Sequence, residues 1–403
     1  MDRTFFDIHM HAMDLSHPNL VAFINRIHGL GLDLIFGGVA ETFLKNEVLN
    51  LLTVMENNIE DYFILMEYFL KSKQPAFCGA EGPIRIGGRE FDTILLTPLV
   101  VDFGFKHIKT DTFYNMALGK PVDGQTVDNL NAIKKYCSFE FKPTDTDDGT
   151  AVPRISQTVF EIYPFLGINP VNYEYNDMQT LLQRCFSGYT GLRENLKSHM
   201  GKFDGVLKNV GSNVFAGVKL YPPLGFDPWP DGKPDEMKKI IYMYDLCVSK
   251  QIPVTIHCSD GGFIACAESA DYTNPLKWRE VLHRFPGLKL NLAHFGNQGK
   301  IFAGDSWRET VIELIIAYDN VYTDISCLGF DEGFYGKLKD VLHDPDTFDR
   351  LASRIMFGTD FMIDLLWGPS YNDYLARFIQ TNEINDEVKV KMCNENPARF
   401  LFK

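Results

Sequence analysis

The fold class predicted from this sequence is α/β, a closed (β/α)8 TIM barrel, and three observations predict it. Short, β-rich apolar runs recur along the chain, amphipathic helical patterns separate the later runs, and eight such runs can be counted. Strand–helix alternation implies a parallel sheet, and eight strands favour closure over an open doubly wound sheet. A length of 403 residues suits one such barrel with insertions. The whole chain, 1–403, is therefore read as a single domain.

The first run is TFFDIHMH (4–11). If it alternates as a strand, His9 and His11 project to one face, with Ile8 and Met10 opposite. Two imidazoles side by side fill a core poorly and suit a metal ion. About eighty residues then separate this run from the next. Their patterns, LVAFINRIHGLG, ETFLKNEVLNLLTVM and NIEDYFILMEYFLKSK, read as helices, so 12–90 is expected to be a helical insertion after the first strand. Residues 31–40 could add a strand of their own. The insertion is expected to wall the substrate site or to form a subunit contact in a homo-oligomer.

The second strand is FDTILLTPLVV (91–101), followed by a second insertion at 103–157 that carries the polar, turn-rich KPTDTDDGTAVP. The remaining strands are VFEIYPFLGI (159–168), VFAGVKLY (214–221), IPVTIHCS (252–259), LKLNLAHF (288–295), NVYTDIS (320–326) and RIMFGTD (354–360). Helices are predicted at 235–250, 274–285 and 305–318.

Composition bounds the function. Apolar residues are 45% and charged residues 23%, as in an ordinary soluble domain. A net charge of −14 argues against a nucleic-acid partner. No leader-like segment and no membrane-length apolar run is found, so the expectation is a cytoplasmic enzyme without a membrane partner. The eight cysteines are scattered without a C-x-x-C and are read as reduced thiols, several of them buried.

In such a barrel the chemistry sits at the C-terminal ends of the strands. Strand one offers His9 and His11, strand four Lys219, strand five His257, strand six His294 and strand eight Asp360. By parity Thr255 and His257 share a face, as do Leu290, Leu292 and His294, and Gly358 and Asp360. The steps 219 to 257 and 257 to 294 are each about one βα unit. This constellation, with the segments GVKLYPPLGFDP, IPVTIHCS, FGTDF and NENPARFLF, resembles the amidohydrolase superfamily, in the amidohydrolase-related ("amidohydrolase 2") branch. The resemblance covers the first strand and 91–403 but not the insertion at 12–90.

The resemblance implies a metal-dependent hydrolase with His9, His11, His257 and Asp360 as metal ligands. Asp360 is then also the general base. Two roles stay open for His294: ligand to a second ion, or hydrogen-bond partner of the attacking water and the developing oxyanion. Two also stay open for Lys219: a carboxylated bridge between two ions, or an ammonium holding a substrate carboxylate. Imidazoles plus a carboxylate suit Zn2+, as one or two ions, with Mn2+ and Fe2+ as alternatives. A bound divalent ion lowers the pKa of water to about 7 and polarises a carbonyl. The expected reaction is cleavage of a C–N or C–O acyl bond (amide, lactone or ester) of a small molecule. A decarboxylase on the same scaffold and a metal-free binding protein are the alternatives. Asp260 and Asn297, after strands five and six, and His107 are weaker candidates for substrate contacts.

Overall fold

The computed structural model describes residues 2–14, 49–73, 84–103, 121–139, 159–264, 267–299, 306–331 and 333–403. Its strands are β1 (Thr4–Met10), β2 (Ile84–Ile86), β3 (Arg89–Phe91), β4 (Thr93–Pro98), β5 (Phe160–Ile162), β6 (Phe165–Gly167), β7 (Gly217–Leu220), β8 (Val254–Ile256), β9 (Leu290–Leu292), β10 (Val321–Asp324) and β11 (Ile355–Met356). One sheet runs β1-β4-β5 and a second runs β11-β10-β9-β8-β7-β6, and every pairing within them is parallel.

The two sheets join into a ring. β5 and β6 are halves of one stave broken at Tyr163 and Pro164, and Leu99 bridges to Phe165. At the other seam Met10 bridges to Phe361, the Ile8 N–H donates to the Phe357 carbonyl (3.3 Å), and the Asp360 N–H donates to the His9 carbonyl (2.7 Å). The order is thus β1, β4, β5/β6, β7, β8, β9, β10, β11 and back to β1, which is the eight-stranded parallel barrel predicted. Helices follow the staves at Tyr175–Phe186, Pro234–Lys250, Trp278–Arg284, Ser306–Ala317 and Tyr371–Gln380. Pro234–Lys250 shows why such a segment is helical. Proline opens it, Asp235 and Glu236 occupy the first turn, and Ile240, Met243, Tyr244 and Cys247 form its buried stripe.

The insertions differ from their expected form. Helices occupy 49–55 and Tyr62–Lys73, but β2 and β3 form an antiparallel hairpin at 84–91, across the expected end of the insertion. Its turn is Gly87-Gly88 at φ 55° and 79°, the twist that two-residue hairpins need, and the Gly-Gly pair was its signal. Within 103–157 the helix Pro121–Ser138 packs on Tyr62–Lys73. The possible strand at 31–40, the polar loop at 142–153 and His107 lie outside the described residues. No described helix is long and apolar enough to cross a membrane.

A β-bulge decides which way strand one points. Asp7 pairs with Leu96 but Met10 pairs with Pro98, so three steps on β1 match two on β4. Below the bulge, Phe6 and Ile8 join an interior floor with Leu95, Phe165, Ala216, Tyr322 and Met356, closed by Phe400 and Leu401. Met10 packs instead into the larger cluster with Phe5, Val218, Val254 and Leu290, between the ring and the helices. His9 therefore faces inward although Ile8 also does. Plain alternation would have put Ile8 opposite His9, and that part of the reading is corrected. The Asp7 carboxylate accepts the His9 N–H (3.3 Å) that the bulge removes from the ladder.

Candidate metal centre

Above the apolar floor the ring interior turns polar. Lys219, Thr255, Asn291 and Asp324 are all buried there, with the histidines at the strand ends over them. Buried polar groups are tolerated only when paired, so the arrangement of partners is informative.

His9 is fixed from behind. Its Nδ1 lies 3.0 Å from Asp324 Oδ2 and 3.1 Å from Ser326 Oγ, leaving Nε2 without a hydrogen-bond partner. Asp324 is a junction: it also accepts from Asn291 Nδ2 (2.7 Å), from the His294 N–H (3.1 Å) and from the Ser326 N–H (3.1 Å) and hydroxyl. Burial opposes its charge, but the facing His9 outweighs this and holds the carboxyl far below the usual range. Asp324 is thus ionised, and His9 Nδ1 must carry the proton it accepts. His11 is fixed likewise, Nδ1 donating to the Leu99 carbonyl at 2.8 Å. Both Nε2 lone pairs then face Asp360 Oδ1, at 3.4 Å from His9 and 3.1 Å from His11.

Three acceptors facing one another repel unless a cation or proton lies between them. Burial lowers the His9 pKa to about 4, so that ring is neutral near pH 7. Burial also opposes the Asp360 charge, but His9 and His11 outweigh it and keep the group well below its ordinary value. A divalent ion with bonds of about 2.0–2.1 Å to nitrogen and oxygen separates tetrahedral ligands by roughly 3.3 Å. The observed separations fit, and so does the donor set.

A second confrontation lies beside the first. His294 Nδ1 is 3.3 Å from the Ser326 carbonyl and 2.9 Å from the Ser326 hydroxyl, whose own proton goes to Asp324. His257 Nε2 donates to the Gly261 carbonyl at 3.1 Å. The remaining nitrogens, His294 Nε2 and His257 Nδ1, are 3.0 Å apart, and with the other ring nitrogens taken as the donors each would carry a lone pair. Burial lowers both pKa values, so a shared proton is disfavoured. Three groups of ligand atoms cluster among the described residues: His9–His11–Asp360, His9–His294–Asp324 and His294–Cys327–Asp360. His257, expected in one set with His9 and His11, lies against His294 instead.

Lys219 Nζ is buried with no hydrogen-bond partner in the described structure, and burial lowers its pKa to about 8. His11, His257, His294, Cys327 and Asp360 open onto a pocket of about 660 Å3. Asp260 and Asn297 line it, and Phe103, Phe263, Phe330 and Trp367 give it an apolar wall.

Two strand-end residues do not follow parity. His294 and Phe295 have φ of 62° and 49°, and β9 stops at Leu292. It is Asn291 that points into the ring, whereas Leu290 and Leu292 pack outward. Asp360, at φ 64°, likewise lies beyond the end of β11. The sequence reading missed Asp324, Ser326, Asn291, Asp7 and Cys327. A carboxylate inside an apolar strand, as in FFDIH and VYTDI, was the available signal.

The family model described as amidohydrolase matches residues 206–403. Over this stretch, just under half of the chain, the sequence is similar to the amidohydrolase family. The match includes β7 to β11 and thus Lys219, His257, His294, Asp324, Cys327 and Asp360; His9 and His11 lie outside it. Solved structures similar to the chain include a TIM-barrel protein from Bordetella bronchiseptica, at 12% identity over 99% of this chain and 98% of that one, TM-score 0.49. Another is an amidohydrolase from Burkholderia multivorans with bound zinc, at 10% identity over 100% of both chains, TM-score 0.45. A third is a probable 2-pyrone-4,6-dicarboxylic acid hydrolase from Acinetobacter baumannii with bound citric acid, at 11% identity over 98% of both chains, TM-score 0.44. No curated protein matches the chain in sequence.

Proposed function

We propose that this chain is a metal-dependent hydrolase of the amidohydrolase family that cleaves a C–N or C–O acyl bond of a small molecule with water. The reading is carried by one observation: the Nε2 atoms of two back-anchored imidazoles, His9 and His11, converge on one oxygen of the buried Asp360 carboxylate at 3.4 and 3.1 Å. His9, His11 and Asp360 would hold the ion, and zinc suits that donor set. A divalent ion there would lower the pKa of water towards about 7 and polarise an acyl oxygen. Asp360 accepts the proton of the attacking water and returns it to the leaving group.

His294 is assigned as a ligand rather than an oxyanion donor. Its only ring proton, on Nδ1, is committed to Ser326, so Nε2 offers a lone pair and no N–H. With His257 it forms the pair that would take a second ion, which favours the two-ion reading. The unpartnered, buried Lys219 amine, with its lowered pKa, supports a role as carbamate bridge over that of an exposed ammonium. The aromatic wall of the pocket supports a substrate with an apolar body. The chain is taken as one catalytic unit. Its insertion 12–90 contributes Met13 to the pocket lining, and Tyr62 donates to the His11 carbonyl at 2.9 Å.

The experiment is elemental analysis of protein purified without chelator, followed by a panel of amides, lactones, esters and aryl carboxylates on the metal-replete form. One or two transition-metal ions per chain and hydrolysis of an acyl substrate are expected. Protein that takes up no metal after reconstitution would return the chain to the binding-protein reading. CO2 release in place of hydrolysis would move it to the lyases.

A further inference from the structure

Cys327 is not used by the reaction above, yet its thiol lies in the middle of the site. β10 ends at Asp324, and the chain then turns back through Cys327, whose φ of 63° is left-handed. The Cys327 N–H donates to the Thr359 carbonyl at 3.2 Å, which ties this turn to the segment carrying Asp360. The consequence is that Sγ lies 2.7 Å from Asp360 Oδ2. The two carboxylate oxygens are divided: Oδ1 faces His9 and His11, and Oδ2 faces the thiol.

The thiol is not alone. Cys327 Sγ, a carboxylate oxygen of Asp360 and a ring nitrogen of His294 all lie within 4.8 Å of one another. His294 Nε2 lies 3.0 Å from His257 Nδ1, which brings a fourth donor atom, a ring nitrogen, to the edge of the cluster, and the buried Lys219 Nζ has no hydrogen-bond partner among the described residues. All three residues line the open pocket, so an ion can reach them from solvent.

We infer that Cys327 binds as a thiolate, with His294 and Asp360, the ion on the His257–His294 side of the centre. The inference rests on the reading of Asp360 as a metal ligand and adds sulfur to an otherwise nitrogen and oxygen site. On binding, the S–H bond breaks, its proton leaves to solvent, and the sulfur lone pair forms the bond to the ion, with no change of oxidation state. Sulfur ligation would bias this position towards zinc, cadmium or cobalt over magnesium or manganese. It would also give an oxidant a route to remove one ion without touching His9 or His11.

The test is cobalt substitution of the full-length, metal-stripped protein. A thiolate-to-cobalt charge-transfer band in the near ultraviolet is expected to grow with added Co2+, and Cys327→Ser is expected to abolish it. The variant should retain cobalt at His9, His11 and Asp360, reading at least one ion fewer than wild type. A second measurement needs no variant: peptide mapping after iodoacetamide should find Cys327 at least tenfold slower to alkylate in the metal-replete protein. Cobalt bound without a thiolate band, a band unchanged in Cys327→Ser, or equal alkylation rates would each overturn the inference and leave the hydrolase reading standing. Failure to bind any metal would overturn both.

Discussion

Asp7 does not line the pocket, yet it holds two of the proposed ligands. Its carboxylate accepts the N–H of His9 at the β1 bulge (3.3 Å), the N–H of Thr359 (3.0 Å) and the Thr359 hydroxyl (2.8 Å). Thr359 in turn accepts the N–H of Phe361 at 3.0 Å, so one side chain fixes the backbone on both sides of Asp360 and at His9. Asp7→Ala strips the acceptor from two buried N–H groups, each worth about 1–3 kcal/mol when left unsatisfied, so roughly 2–6 kcal/mol of stability should be lost. Asp7→Asn keeps one oxygen for both N–H groups, and the Thr359 hydroxyl can turn to accept from the new amide. Its loss should stay below about 2 kcal/mol. Ligands held from behind in this way lose about 10–100-fold in metal affinity when the support is removed. Alanine should show that loss and asparagine much less of it. Competition with a chromophoric chelator gives affinity, and urea denaturation of the metal-free proteins gives stability. If alanine and asparagine proved equal in both assays, Asp7 would not be the latch described.

Gly358→Ala should act on the same centre by crowding, because its Cβ would lie 2.7 Å from the His9 Cβ against an ordinary van der Waals contact. To reach an ordinary contact of 3.4 Å His9 must move by about 0.7 Å, beyond the roughly 0.5 Å that a preorganised site tolerates, so chelator competition should show at least tenfold weaker metal binding. Asp360→Asn cannot take a proton from water, and single-turnover rates on the enzyme's own substrate should fall at least about 100-fold, with circular dichroism unchanged. Glu161 concerns stability alone. Burial raises its pKa, but Lys197 (2.6 Å), Arg193 (3.0 Å) and Tyr163 (2.7 Å) together hold it below the ordinary value. The unfolded chain therefore takes up the proton first as pH falls. The stabilisation is full above the unfolded value of about 4.3 and drains as pH drops through the lower folded value. Glu161→Gln should be less stable by about 1–3 kcal/mol at pH 7, and the gap should narrow in acid; urea midpoints that stay equally far apart from pH 7 to pH 3 would contradict this.

The barrel was legible because its staves are buried on both faces, so each reads as a compact apolar run whatever its neighbours do. The residues at the strand ends were legible as types, but the argument from alternation that picked them holds only while the ladder is regular. At β1 the ladder carries an extra residue; after β9 and β11 it has already ended, and His294 and Asp360 reach the site through left-handed backbone instead. Period-two reasoning has no access to either event, because both depend on what the chain binds to across the ring. The bulge at His9 persists because Asp7 takes the N–H it frees, and Asp7 can do so because Thr359, on the neighbouring stave, completes its partners. Asp324 works in the same manner from β10, joining His9, Asn291 and His294. Both residues sit in strands where an unpaired carboxylate would be strongly destabilising. A sequence reader can therefore treat such a carboxylate as evidence that donors from other staves converge on it, even before knowing which.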